Sequence, residues 1–130
     1  MRMTFTHHPL WHKSVLGVFY ALLVLFTILF LMPTHYLPEE SIFNWWDKAQ
    51  HAAVFGVLTV FAILTYPDKV KALTLGLLLY GALIEILQSC TSWRQGDFSD
   101  WCADAIGVVI MYLLFSVLRA INKTCSIMRS

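Results

Sequence analysis

Nine residues of this chain have the types and spacing to do chemistry together. Asp47, His51 and Phe55 are four apart, so on a helix they share one face, with Lys48 beside them. Glu85 and Gln88, three apart, define a second face. Asp97, Asp100, Asp104 and Gly107 follow at spacings of three, four and three and define a third, with Arg94 just before them. Three chemistries fit these groups. His51 and the carboxylates can exchange protons. His51, Glu85 and Asp100, with Asp47 and Asp104 nearby, can supply ligands to a divalent cation. Lys48 and Arg94 can contact phosphate, Arg94 in bidentate fashion.

Each of these residues also has a structural reading. Asp47 and Asp100 fall where helix amino termini favour acids, as caps or dipole partners. His51 can be a buried imidazole, bonded to Asp47, that locks a helix in place. Capping does not explain Glu85, roughly a turn inside an apolar helix, or Asp104, a turn inside the next. Glu85 must carry a proton, pair with Arg94 or Lys48, or bind something. Side chains of this kind are costly against lipid and mark a functional site by default. Convergence of the three faces, with Arg94 as counter-ion, is therefore the expected arrangement.

Four apolar helices must position these groups. Residues 14–32 carry no charge, and 19 residues at ~1.5 Å each nearly cover a ~30 Å hydrocarbon core. The competing reading of this stretch is a cleaved signal peptide. It is long for that, and Leu31 to His35 is not a small-residue cleavage site, so a retained span ending at Pro33 is expected. The second span covers about 49–66 and stops at Pro67, the third about 72–88, and the fourth about 101–118. The short turn after Tyr66 makes the second and third antiparallel neighbours. Trp45, Trp46, Trp93 and Trp101 gather at one set of ends, and Trp11 and Tyr66 at the other, as an aromatic belt would. The longest connection, residues 34–47, contains an apolar segment, 41–46, expected to form an interfacial turn or short helix, with Ser41 or Asn44 as cap. No repeat or low-complexity segment interrupts residues 1–130, read as a single domain.

Charge orients the chain. Seven of the 8 acids lie at one set of helix ends, and 7 of the 9 Lys and Arg lie at the other. Basic loops stay cytoplasmic, which places both termini inside and the reactive groups outside. Hydrophobic residues make up 58% and charged residues 13% of the chain, against about 25% charged in soluble domains. A net charge of +1, with its basic residues explained by topology, argues against a nucleic-acid partner. Three cysteines are too few for a disulfide scaffold. Cys90 and Cys102 both fall near the outer face, where a bridge could persist, or they are small apolar residues at helix ends. Cys125 is expected to be a free thiol.

The order Asp47-Lys48-x-x-His51-x-x-x-Phe55, Glu85-x-x-Gln88, Arg94, Asp100-x-x-x-Asp104-x-x-Gly107 resembles the VanZ-like membrane proteins over roughly residues 47–111. Asp104 stands where that family usually has Asn, and Met111 where a second Gly often follows. The resemblance implies a bacterial protein of the inner membrane, all-α, with an envelope role. The family's namesake is associated with resistance to the glycopeptide teicoplanin. The resemblance implies no reaction and no cofactor.

Three functions follow as expectations. The first is a module that binds or handles an anionic envelope lipid or cell-wall precursor, an isoprenyl phosphate or a phospholipid headgroup, through Lys48 and Arg94. His51, Glu85, Gln88 and Asp100 would orient it. The excess of carboxylates opposes this unless some are protonated or metal-bound. The second is a metal-dependent hydrolase of a phosphorylated lipid. The chain has no HExxH motif, no His pair and no marked Ser or Cys nucleophile. The third is a structural or accessory subunit, in a homodimer or with a membrane-protein partner, with Gly76, Gly81 and Ala82 available for packing.

Overall fold

The structure, a computed structural model, describes residues 9–33, 44–94 and 96–128. It contains four helices, α1 (Pro9–Leu31), α2 (Asn44–Thr65), α3 (Val70–Ser89) and α4 (Phe98–Ile127), and no strand among the described residues. All four are long and apolar enough to cross a membrane. The expected cap Ser41 and most of the expected interfacial segment lie outside the described residues, as do the side chains of Trp45 and Trp46.

Local chemistry sets the helix boundaries. Pro9 occupies the first helical position of α1, where its missing N–H costs nothing. At the far end Pro33 cannot donate to Leu29, and the N–H of Met32 turns back to that carbonyl at 3.4 Å. Pro67 stops α2 in the same way, and Lys69 N–H closes the turn on Tyr66 O at 3.0 Å. Asp97, in extended conformation, caps α4 by accepting from Ser99 N–H. Each helix reaches beyond its expected span at one end or both, and α4 most of all. The expected limit at 118 followed the fall in hydrophobicity at Arg119. Nothing from Arg119 to Ile127 breaks a helix, because the stretch has neither Gly nor Pro.

The core is a column of Phe19, Phe30, Phe55, Leu58, Leu77, Ile84 and Val108. Phe55 stacks on Phe30 at 6.3 Å between ring centres and leans on Tyr80 at 5.7 Å. The Tyr80 and Thr27 hydroxyls pair at 2.7 Å and tie α3 to α1. Aliphatic side chains such as Val24, Leu79, Ile86, Ile110 and Leu114 cover the outside. On a soluble protein this surface would be a liability, but lipid accepts it.

Helices α2 and α4 pack closest. A Cβ on Gly107 would collide with the backbone of Ala52, so the two helices approach to backbone contact there. Gly76, by contrast, faces open space. At the end where α3 begins, Lys69, Lys71, Arg119 and Lys123 line an open groove of about 680 Å³. The reactive residues gather at the opposite end.

Candidate functional site

His51 is the hub of the polar end. Its spacing from Phe55 turns it inward from α2, and it is 1% exposed. Its Nδ1 lies 2.9 Å from Asp104 Oδ1 of α4. Phe30 of α1 stacks on the imidazole, with ring centres 4.4 Å apart. Asp104 is fully buried because α3 gives it room. A Cβ on Gly81 would stand 2.9 Å from Asp104 Oδ2 and 3.2 Å from the Phe55 ring. The imidazole thus pairs with Asp104 rather than Asp47, because Gly107 and Gly81 let α4 and α3 close on it.

Glu85 splits its carboxylate between two surroundings. Its Oε2 accepts the Asp97 backbone N–H at 2.8 Å, which fixes the loop that starts α4. Its Oε1 is buried and without a hydrogen-bond partner among the described residues, as are His51 Nε2 and Asp104 Oδ2. The Gly96 backbone lies against the Glu85 carbonyl, which leaves no room for a side chain at 96.

Lys48 stands at the mouth. Its Nζ is 3.3 Å from Asp100 Oδ1 and 3.9 Å from Asp97 Oδ2. Asp97 is exposed. Its carboxyl is held below the ordinary aspartate range by the Ser99 hydroxyl and backbone N–H, with Lys48 adding to the effect. One potential ligand atom from each of Asp47, His51 and Asp100 lies within 4.8 Å of the other two. The same holds for His51, Glu85 and Asp104.

Arg94 and Gln88 do something else. Arg94 Nη1 and Gln88 Nε2 both donate to Phe30 O, each at 2.9 Å, and Trp93 Nε1 donates to Leu31 O at 3.3 Å. The last carbonyls of α1 have no intrahelical donors and carry the negative end of its dipole, so a guanidinium and an amide suit them. The expected ion pair between Arg94 and the carboxylates is therefore replaced. Among the described residues Arg94 meets no acid within 4.0 Å, and Lys48 is the cation at the cluster. The bridge considered between Cys90 and Cys102 is not formed, and the three cysteines are free thiols. Trp101 also does more than mark a membrane boundary, since its indole N–H donates to Leu78 O at 3.1 Å.

Sequence reasoning missed Phe30, which contributes both its ring and its carbonyl. The signal was present in Pro33, which ends α1 at the depth of the polar faces and leaves its carbonyls in need of donors.

The family model of VanZ/LLP1 matches residues 2–119. The chain belongs to the VanZ/LLP1 family. The match takes in every polar residue of this site, and it also includes α1, which the motif over residues 47–111 did not reach. Neither curated proteins nor solved structures gave a match. With its four apolar helices, this VanZ/LLP1 chain is a multi-pass membrane protein.

Proposed function

We propose that this VanZ/LLP1 protein resides in the bacterial inner membrane with both termini cytoplasmic. At its outer end it binds a phosphate-bearing envelope lipid or cell-wall precursor, such as an isoprenyl phosphate or an anionic phospholipid. The observation that carries this reading is the polar column. It runs from half-exposed Lys48, past Asp100, to the fully buried pair of His51 and Asp104, in helices that otherwise offer aliphatic surface. Intramembrane ionisable groups are costly to keep, and a column open at one end gives them a use. Lys48 is the phosphate contact. Arg94, committed to α1, supports the site from behind. A part in glycopeptide resistance would be the consequence for the cell, visible as altered teicoplanin susceptibility on deletion.

Native mass spectrometry from nanodiscs containing phosphatidylglycerol and undecaprenyl phosphate tests the reading. The native chain should retain one anionic lipid, and Lys48→Ala should lose it. Arg94→Ala should keep the lipid but melt earlier, by roughly 1.5–3 kcal/mol, the cost of a hydrogen bond to a charged group. Equal retention in native chain and Lys48→Ala would sink the lipid reading. A bare chain in every sample would favour an accessory subunit whose polar network serves only to fix the helices.

A further inference from the structure

Two carboxylates buried beside a neutral imidazole would leave a charge of −2 inside the bundle. Neither available cation is placed to balance it. Lys48 is engaged with Asp100 and Asp97, and Arg94 with the Phe30 carbonyl. Unpaired ions in a protein interior cost several kcal/mol each, so something must neutralise Glu85 and Asp104.

The donor atoms indicate what does so. His51 Nδ1 and Asp104 Oδ1, 2.9 Å apart, share a proton that a metal ion can replace, because neighbouring ligands ~2.1 Å from one ion stand roughly 3 Å apart. Glu85 Oε1 and Asp104 Oδ2 are buried acceptors with no donor among the described residues, and one ligand atom from each of His51, Glu85 and Asp104 lies within 4.8 Å of the other two. The three side chains are 1%, 9% and 0% exposed and come from three different helices. Two buried carboxylate oxygens with no donor, gathered beside an imidazole nitrogen, call for a cation. We infer that His51, Glu85 and Asp104 hold a divalent cation. The inference deepens the proposed function and rests on its reading of the polar column as the functional site. A cation there also removes the repulsion that a carboxylate-rich column would impose on an incoming phosphate.

The ligand set narrows the metal. One imidazole with two carboxylates is a nitrogen and oxygen set, suited to Mn²⁺, Fe²⁺ or Zn²⁺ rather than to soft Cu(I) or to all-oxygen Ca²⁺ sites. Ligand bonds to Zn²⁺ of about 2.0–2.2 Å place two donors at most ~4.4 Å apart. The observed limit of 4.8 Å asks for a closure of only a few tenths of an ångström. The Phe30 ring already fixes the imidazole plane, as metal-bound histidines require. His51 also belongs to the outer triplet with Asp47 and Asp100, which gives a hydrated ion acidic groups to follow inward.

The test uses the full chain in a neutral detergent, stripped with EDTA and titrated with Mn²⁺ while the signal of the free aquo ion is followed by electron paramagnetic resonance. The expected result is one Mn²⁺ per chain, displaced by Zn²⁺. Glu85→Gln and Asp104→Asn should each weaken it at least about tenfold, since even losing an outer-shell partner costs 10- to 100-fold. Asp47→Asn should leave the stoichiometry unchanged. Glu85→Gln also loses the charge that receives Asp97 N–H, so near-isosteric Asp104→Asn supplies the result if that variant does not fold. No binding by the native chain, or equal binding by it and Asp104→Asn, overturns the inference. So does loss of the ion in Asp47→Asn alone. No anionic lipid is present, so a bound metal without lipid retention in nanodiscs would sink the lipid reading alone. Lipid retention without metal would sink the cation alone.

Discussion

The Asp97 carboxylate accepts the Ser99 hydroxyl at 2.6 Å and its backbone N–H at 2.9 Å, and both bonds favour the ionised form. Its pKa is therefore depressed, with Lys48 at 3.9 Å adding to the effect. For a depressed acid the sign is fixed. The stability it contributes is complete above the unfolded-state value and is lost as pH falls through the lower folded value. The cap on α4 should thus hold throughout the neutral and mildly acidic range. Ser99→Ala removes the larger of the two bonds and should move the Asp97 titration up, toward the ordinary aspartate value. Carboxyl-carbon NMR on the labelled chain would read this, and an unmoved titration would show that the hydroxyl is not the cause. Residue types and spacing made the polar faces legible in the sequence, but not which atoms would pair. Arg94 and Asp104 show the reason. Arg94 was matched to acids by charge, whereas its partner is a backbone carbonyl that becomes available only because α1 ends nearby. Asp104 reaches His51 because of the depth at which two helices cross, which spacing along one helix does not encode.

At the scale of elements, the crossing of α2 over α4 sets the site's dimensions. Gly107 lies against the Ala52 backbone, so a methyl group there must push two helices apart rather than displace a side chain. That movement would also draw Asp104 away from His51, one turn further along. Gly107→Ala should therefore destabilise the chain by about 3 kcal/mol, at the upper end of overpacking costs. Gly76→Ala adds its methyl to open space and should be neutral or stabilising by roughly 0.5–1 kcal/mol, from helix propensity alone. Thermal unfolding of the two variants in the same detergent provides the comparison, and equal melting would mean that α2 and α4 do not meet as described. The existence and order of the four helices were readable, because uninterrupted apolar runs bounded by Pro33 and Pro67 allow little else. Their lengths were not. Hydrophobicity marks where a helix leaves lipid, whereas caps and breakers mark where it stops, and for α4 those limits differ by nine residues, 118 against 127.

At the scale of the whole molecule, the two ends of the bundle have opposite characters. Carboxylates and His51 occupy one end, and Lys69, Lys71, Arg119 and Lys123 surround a groove at the other. With 30 residues α4 is about 45 Å long, so it outruns a ~30 Å hydrocarbon layer by several turns. Its surplus lies on the basic side, where Arg119 and Lys123 can meet anionic headgroups. This polarity is what the positive-inside rule acts on, and in the proposed orientation the groove faces the cytoplasm and the column lies outside. The native cysteines test the orientation without any insertion. Cys90 is exposed at the end of α3 beside the column, and Cys125 is exposed near the end of α4 on the basic side. A membrane-impermeant maleimide applied to intact cells or spheroplasts should label Cys90 in a chain carrying Cys125→Ser. It should reach Cys125 in a Cys90→Ser chain only after permeabilisation. Half-buried Cys102 is replaced by Ser in both. The opposite pattern would place the carboxylates in the cytoplasm, where the proposed lipid phosphate would have to be an inner-leaflet one.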